Sequence, residues 1–400
     1  DAATDEIYLE TYIFEDDDTG RLIAAALSRA ANRGVKVHVL VDGFGAREFP
    51  AKLMPALEAS GVQVLVYRKK ISPLTLRRQR LRRLHRKLVV VDARLAFVGG
   101  INIIDDAHAP GQPPRYDYAV RVEGPLIAPI HTSVHRLWKL VAWTNFRHRL
   151  RALTHAPVIA EPCGSMHAAF LVRDNLRHRR DIEEAYLEAI KAARKEIFLA
   201  NAYFLPGIRF RHALMHAAQR GVRVTILLQG RVEYLLQHYA SQALFDALLD
   251  AGIHIFEYHL SFLHAKVAVI DDQWATVGSS NIDPFSLLLA REASVVVNDE
   301  AFAAELRASL ETAVVGGARE VKREDWQRKP WLHRLASWTA YGLVRLMVGI
   351  AGYGGSGADS QFGGWGAGLF PGIGYQSGGS VRFSIVGRVY VLSTSSESGE

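Results

Sequence analysis

Four hundred residues, with 48 Lys and Arg against 41 Asp and Glu, give a formal net charge of +7 and enough chain for two or three cores. A single cysteine, Cys163, excludes an internal disulfide, and 49% hydrophobic with 22% charged residues is globular rather than fibrous or disordered. The basic excess suits an anionic partner (lipid surface, nucleic acid or phosphorylated substrate), and no 18-residue uncharged apolar run marks a membrane span.

Residues 5–14 (DEIYLETYIF) predict a strand, 19–32 a helix with apolar residues at helical spacing, and Val35–Val41 a strand closing on Asp42-Gly43. A strongly basic run, RKKISPLTLRRQRLRR, spans 68–83. It reads either as a solvated surface segment or as a lip steering anionic headgroups toward a site. No aromatic residue lies between Tyr67 and His85 to stack a base, so a nucleic-acid partner is not expected. A Trp-bearing helix over 125–146 closes the first half, and 148–164 reads as a linker.

The second half repeats the order: EIFLANAYF (196–204), a helix near 208–219, then RGVRVTILLQG. Arg33-Gly34-Val35-Lys36-Val37 matches Arg220-Gly221-Val222-Arg223-Val224, glycine ending the helix in each. A repeat of this length predicts two homologous α/β lobes, 1–147 and 165–325. Aligning DEIYLETYIF with KEIFLANAYF leaves the second lobe about 25 further residues upstream, from Met166 through a helix at 181–193. The chain begins without methionine, so the first lobe reads as truncated. An edge strand and a helix are expected in the second lobe without counterparts in the first.

The repeat carries one motif twice. HRKLVVVDARLAFVGGIN holds His85, Lys87, Asp92, Gly99 and Asn102, and HAKVAVIDDQWATVGSSN holds His264, Lys266, Asp271, Gly278 and Asn281, histidine to asparagine being 17 residues in both. In a strand, residues two apart share a face, so each histidine points with its lysine. A lysine opening a buried aliphatic run needs an anion beside it. Imidazole, ammonium and amide together suit a phosphate. If the halves face each other, one histidine attacks phosphorus while the other protonates the leaving oxygen from the far side. The lysines and Asn102 and Asn281 then carry the phosphoryl charge, and no metal is needed. Asp92 and Asp271, at strand ends, read as turn or salt-bridge residues.

These stretches, with LETYIFEDDDTG, VDGFGA, GGINI, DYAVRVEGP, NAYFLP and GSSNID, resemble the phospholipase D superfamily and its bacterial cardiolipin synthase branch, from residue 1 to about 325. The resemblance implies two lobes, each a mixed sheet flanked by helices, with the active site at their pseudo-twofold interface. It implies a phosphatidyl-histidine intermediate resolved by a second lipid's hydroxyl, phosphatidylglycerol as donor, and no cofactor or metal. It also implies that Asp117 and Glu292 orient the histidines, and it counts Asp92 and Asp271 with the catalytic residues. Anionic phospholipids and the surface of the bacterial inner membrane are the implied partners, the protein being peripheral there. The family has asparagine two before the second acid, where this chain has Ala290. A phosphodiesterase (lipase or nuclease) and an inactive membrane-binding scaffold are the alternatives. Oligomeric state and the second alcohol are not readable.

The two histidines divide the work. His85 follows the basic run, and nearby positive charge favours a neutral, nucleophilic imidazole. His85 is therefore expected to attack and His264 to act as acid, then base. His131/His135 and His212/His216 have i,i+4 spacing but no glutamate at metalloprotease spacing, so no metal is expected there. Residues 326–351 include WLHRLASWTAYGLVRLMVGI, whose aromatics and two arginines predict an interfacial helix rather than a span. The alternative is a helix packed on the lobes. The Gly/Ser-rich segment 352–400 reads as a disordered tail.

Overall fold

The computed structural model describes residues 1–68, 82–105, 113–144, 163–174, 177–284, 286, 290–348 and 382–387. Most of the basic run, the linker and the tail lie outside the described residues.

The first sheet contains β1 (Glu6–Thr11), β2 (Lys36–Asp42), β3 (Gln63–Tyr67), β4 (Lys87–Val91), β5 (Leu95–Gly99) and β6 (Tyr118–Glu123). Its helices are α1 (Asp18–Asn32), α2 (Phe49–Lys52), α3 (Met54–Ala59) and α4 (Ile127–Thr144). The second sheet contains β7 (His167–Arg173), β8 (Glu196–Asn201), β9 (Arg223–Gln229), β10 (His254–Tyr258), β11 (Lys266–Ile270), β12 (Trp274–Gly278), β13 (Glu292–Asn298) and β14 (Ala318–Glu320). Its helices are α5 (Asp181–Ala192), α6 (Ile208–Gln219), α7 (Leu235–Gln242), α8 (Phe245–Asp250), α9 (Glu300–Gly317), α10 (Arg323–Gln327) and α11 (Trp331–Val348).

The sheets share one plan. β1–β2–β3 and β8–β9–β10 are parallel, and β4–β5–β6 and β11–β12–β13 are added antiparallel on the other side of β1 and β8. The matched glycines Gly34 and Gly221 have φ of +91° and +87°, the left-handed turn that ends α1 and α6.

One hydrophobic cluster joins the lobes. Val98, Val120 and Val122 of the first sheet share it with Val277, Val295 and Val297 of the second, under α4 and α9. Each such buried side chain contributes roughly 1.5–3 kcal/mol over exposure. Two further clusters, one per lobe, fill the outer layers. The sheets are thus fixed to each other, with β5 and β6 against β12 and β13 at the seam.

The expected extra strand and helix of the second lobe are β7, paired with β13, and α5. The matching edge of the first sheet is not bare. Residues 382–387, assigned by sequence to an unstructured tail, form β15 antiparallel to β6, with Ile385 opposite Val120. An open edge of peptide groups accepts a suitable extended segment, and RFSIVG is one despite its Gly/Ser surroundings. The sheets have seven and eight strands, the difference being β14 at the far edge.

Candidate active site

Each histidine sits in the residue or two before a motif strand, on a segment held from both sides. Within its own lobe, Asp42 Oδ2 accepts the Leu84 N–H at 2.8 Å and Gln229 Oε1 the Leu263 N–H at 2.9 Å. Across the seam, the His85 N–H donates to Arg291 O at 3.0 Å and the His264 N–H to Tyr116 O at 2.9 Å. Arg291 and Tyr116 return their own N–H groups to Arg83 O and Phe262 O. Both acceptor residues stand one place before an acid, so the clasp delivers each acid to the opposite lobe's histidine.

Glu292 therefore faces His85, its carboxylate 3.0 Å from Nδ1, and Asp117 faces His264, Oδ2 lying 2.6 Å from Nδ1. Ser279 O, 3.2 Å away, is a second acceptor at His85 Nδ1. Acceptors at Nδ1 fix the proton there and leave the Nε2 lone pair for the cavity that both rings line. The Ser279 hydroxyl also donates to Glu292. Its counterpart is Gly100, where a Cβ would stand 2.3 Å from Asp117 Oδ1. Glycine is required because the carboxylate occupies that space.

Lys87 and Lys266 are buried, and each ammonium donates to the carbonyl of its own motif histidine. Burial pushes Lys87 down to about 7 and Lys266 to about 8, against the raising effect of Glu292 and Asp117. Burial also lowers both histidines, His264 to about 4 with help from Lys266. Desolvation and the motif lysines depress both imidazoles. A bound phosphodiester brings a negative charge that raises all four groups.

Asn102 and Asn281 line the same cavity of about 350 Å³. Asn102 Oδ1 accepts the Ile13 N–H at 3.3 Å, which turns its amide N–H2 away from that contact. Asn281 is buried and lines the cavity, its Oδ1 without a hydrogen-bond partner among the described residues. Ala290, two places before Glu292, also lines the cavity.

Asp92 and Asp271 are not at the site, which corrects their inclusion with the catalytic residues. They end β4 and β11 on the far side from the histidines, on the order of 20 Å along the strand. Asp92 accepts N–H groups of Thr4, Asp5 and Glu6, and Asp271 those of Arg194, Lys195 and Glu196, at 2.7–3.0 Å. Both adopt φ of +52°, which aspartate tolerates. They tie the strand end to the start of β1 or β8. His131 and His135 are buried, with His131 Nε2 2.6 Å from Glu6, while His212 and His216 are exposed.

Residues that sequence did not single out complete the site. Tyr12 lays its ring 4.9 Å from His85 and under Lys87. On the His264 side, Arg115, Tyr203 and Glu233 form a linked group in the cavity wall. Only comparison of the halves at matched positions marks them.

A family described as "Cardiolipin synthase, PLD-like domain" matches residues 1–138 and 186–314. The chain belongs to this family. It is 37% identical to cardiolipin synthase B of Escherichia coli (strain K12) over 362 residues, 88% of this chain and 84% of that protein. It is 30% identical to cardiolipin synthase A of Proteus mirabilis over 359 residues, 86% of this chain and 71% of that one. Among solved structures, phosphatidylserine synthase of Haemophilus influenzae superposes with a TM-score of 0.63 over 87% of this chain and 91% of its own, at 12% identity. Polyphosphate kinase of Porphyromonas gingivalis does so at 0.52 and 15% identity, over 86% and 50%. At those identities the likeness is one of fold.

Proposed function

We propose that the chain transfers a phosphatidyl group from phosphatidylglycerol to the hydroxyl of a second phospholipid, making cardiolipin through a phosphatidyl-histidine. The observation that carries this reading is the pair of histidines, each coupled to an acid of the opposite lobe and backed by its own buried motif lysine, that meet at one cavity. In the first step, His85 Nε2 attacks phosphorus and the bond to the headgroup oxygen breaks. His264, protonated once the phosphodiester is bound, gives its proton to the departing alkoxide. In the second step, neutral His264 takes the proton of the incoming hydroxyl, whose oxygen attacks phosphorus as the P–N bond breaks. The lysines and the carboxamides of Asn102 and Asn281 stabilise the phosphoryl oxygens. Purified protein given phosphatidylglycerol, alone and with another phospholipid, should yield cardiolipin and free glycerol by thin-layer analysis. Phosphatidic acid as sole product would overturn transfer in favour of hydrolysis.

The reading includes peripheral attachment to the bacterial inner membrane, with anionic phospholipid as the partner surface. No helix among the described residues is long and apolar enough to cross a membrane. Support comes from α11, which does two things at once. Ala340 and Val344 are buried in the second lobe's core, while Trp331, Trp338, Leu335 and Leu346 are exposed on the same helix as Arg334 and Arg345. Aromatics with basic residues suit a headgroup layer. α11 packs on α7, which begins at Leu235 beside the cavity-lining Tyr234. Because α11 also covers core, the test is substitution rather than deletion. Trp331→Ser with Trp338→Ser should weaken sedimentation with phosphatidylglycerol vesicles, and undiminished sedimentation would contradict the assignment.

A further inference from the structure

The two motifs are alike, but the walls beside them are not. Arg115 stands two residues before Asp117, and the same place before Glu292 holds Ala290. Tyr203 precedes Phe204, which bridges to Ile282, and the matched residue before Phe14, which bridges to Ile103, is Ile13. Glu233 lies four residues after Gln229, and four after the matching Asp42 is Ala46. Ile13 and Ala290 line the cavity as Tyr203 and Arg115 do, whereas Ala46 is withdrawn into the first lobe's core.

The polar three form one unit drawn from both lobes. Arg115 Nη1 is 3.2 Å from Glu233 Oε1, and the Tyr203 hydroxyl donates to Glu233 Oε2 at 2.5 Å. Arg115 is steadied over the Phe262 ring, its guanidinium carbon 5.3 Å from the centroid. All three line the cavity. A carboxylate has about four lone-pair sites, and these contacts use two. The remaining lone pairs, and the acceptor side of the Tyr203 oxygen, are complementary to hydroxyl donors. Packing alone does not require this unit, since Ile13 and Ala290 serve in the cavity wall at the positions related to Tyr203 and Arg115.

We propose that Arg115, Tyr203 and Glu233 form a polyol subsite that binds the vicinal hydroxyls of the alcohol leaving and entering on the His264 side. The inference rests on the transfer reading above, in which His264 handles the proton of that alcohol. A 1,2-diol such as the glycerol headgroup presents a second hydroxyl to Glu233 while the first lies at phosphorus; a mono-alcohol of similar size leaves the polar unit unanswered. Sites built to bond a hydroxyl discriminate strongly against analogues that lack it.

The test is an acceptor competition with the full-length protein and phosphatidylglycerol vesicles. Phosphatidyl transfer to 1,2-propanediol and to 1-propanol is measured for wild type, Glu233→Gln and Tyr203→Phe. Wild type should prefer the diol, and each variant should reduce the preference ratio by about tenfold, through a raised KM for the diol. The ratio is internal to each protein, so partial misfolding does not imitate the effect. An equal fall for both acceptors, or an unchanged ratio in both variants while wild type transfers, overturns the subsite and leaves transfer standing. A wild type that forms no phosphatidyl alcohol from either acceptor overturns the transfer reading and the subsite with it.

Discussion

Asp117→Asn removes a charge while keeping a shape. Asp117 Oδ2 lies 2.6 Å from His264 Nδ1, Oδ1 accepts the Tyr118 N–H at 2.8 Å, and the Lys266 ammonium is 4.0 Å away. The amide that replaces this carboxylate has one acceptor oxygen. If that oxygen stays with the Tyr118 N–H, an N–H2 faces Nδ1, and the ring must move its proton to Nε2, the nitrogen turned to the cavity. The charge-assisted bond alone is worth about 1.5–3 kcal/mol, a rate loss of about 10- to 150-fold. The wrong tautomer deepens the loss. Asp117 also raises the His264 pKa against burial, so its removal takes that pKa further below about 4 and makes the protonated acid scarcer. Initial rates of cardiolipin formation should fall accordingly, with the alkaline limb of the profile moved to lower pH. Nitrogen NMR of the histidine rings should show a tautomer change at His264, in the other lobe, and leave His85 as it was. A rate loss under about threefold, less than about 1 kcal/mol, or a change at His85 instead, would refute the exchanged pairing.

Two further variants separate structure from chemistry. Burial would raise the Asp92 and Asp271 carboxyls, but three amide donors outweigh it and hold both below the ordinary value. Stability from a depressed carboxyl is present above the unfolded pKa and lost as pH falls through the folded one, so Asp92→Asn should lower the melting temperature at neutral pH. The gap to wild type should narrow below about pH 4, and folded variant should keep its turnover; a turnover collapse in well-folded protein would contradict the role given to Asp92. Arg86, buried one place after His85, donates through Nε to Glu10 at 2.7 Å and through Nη1 to Ser133 at 2.8 Å. Arg86→Leu strands the Glu10 carboxylate and should cost about 3–5 kcal/mol in denaturant unfolding. Adding Glu10→Leu should recover most of it, since the second lobe carries Ala200 and Ala265 at the matching places. A single-variant loss under about 1 kcal/mol would show the pair to be dispensable.

What sequence revealed and what it hid follow from range. The His85/Lys87 and His264/Lys266 pairs were readable because period-two geometry acts within three residues. The helix starts and the Gly34 and Gly221 stops were readable for the same local reason. Which acid serves which histidine was not, because Glu292 reaches His85 only through the Arg291 clasp, 207 residues away. Asp92 shares the motif with His85 but stands at the other end of β4, so membership in a pattern said nothing about proximity. β15 was hidden by composition, its six residues lying in a Gly/Ser-rich stretch and gaining a partner only from the β6 edge. The polar unit of Arg115, Tyr203 and Glu233 joins three separated segments, and no local signal announces it.

The central claim is that phosphorus passes covalently through one histidine while the other manages the alcohol's proton. Each single His→Ala variant should be given a phosphatidyl substrate with a good leaving group, which needs no acid, and quenched for mass spectrometry of its peptides. His264→Ala should accumulate an acid-labile phosphatidyl adduct on His85, and His85→Ala should accumulate none. An adduct on His264 alone would exchange the two roles, and turnover by wild type with no adduct in either variant would contradict the covalent route itself.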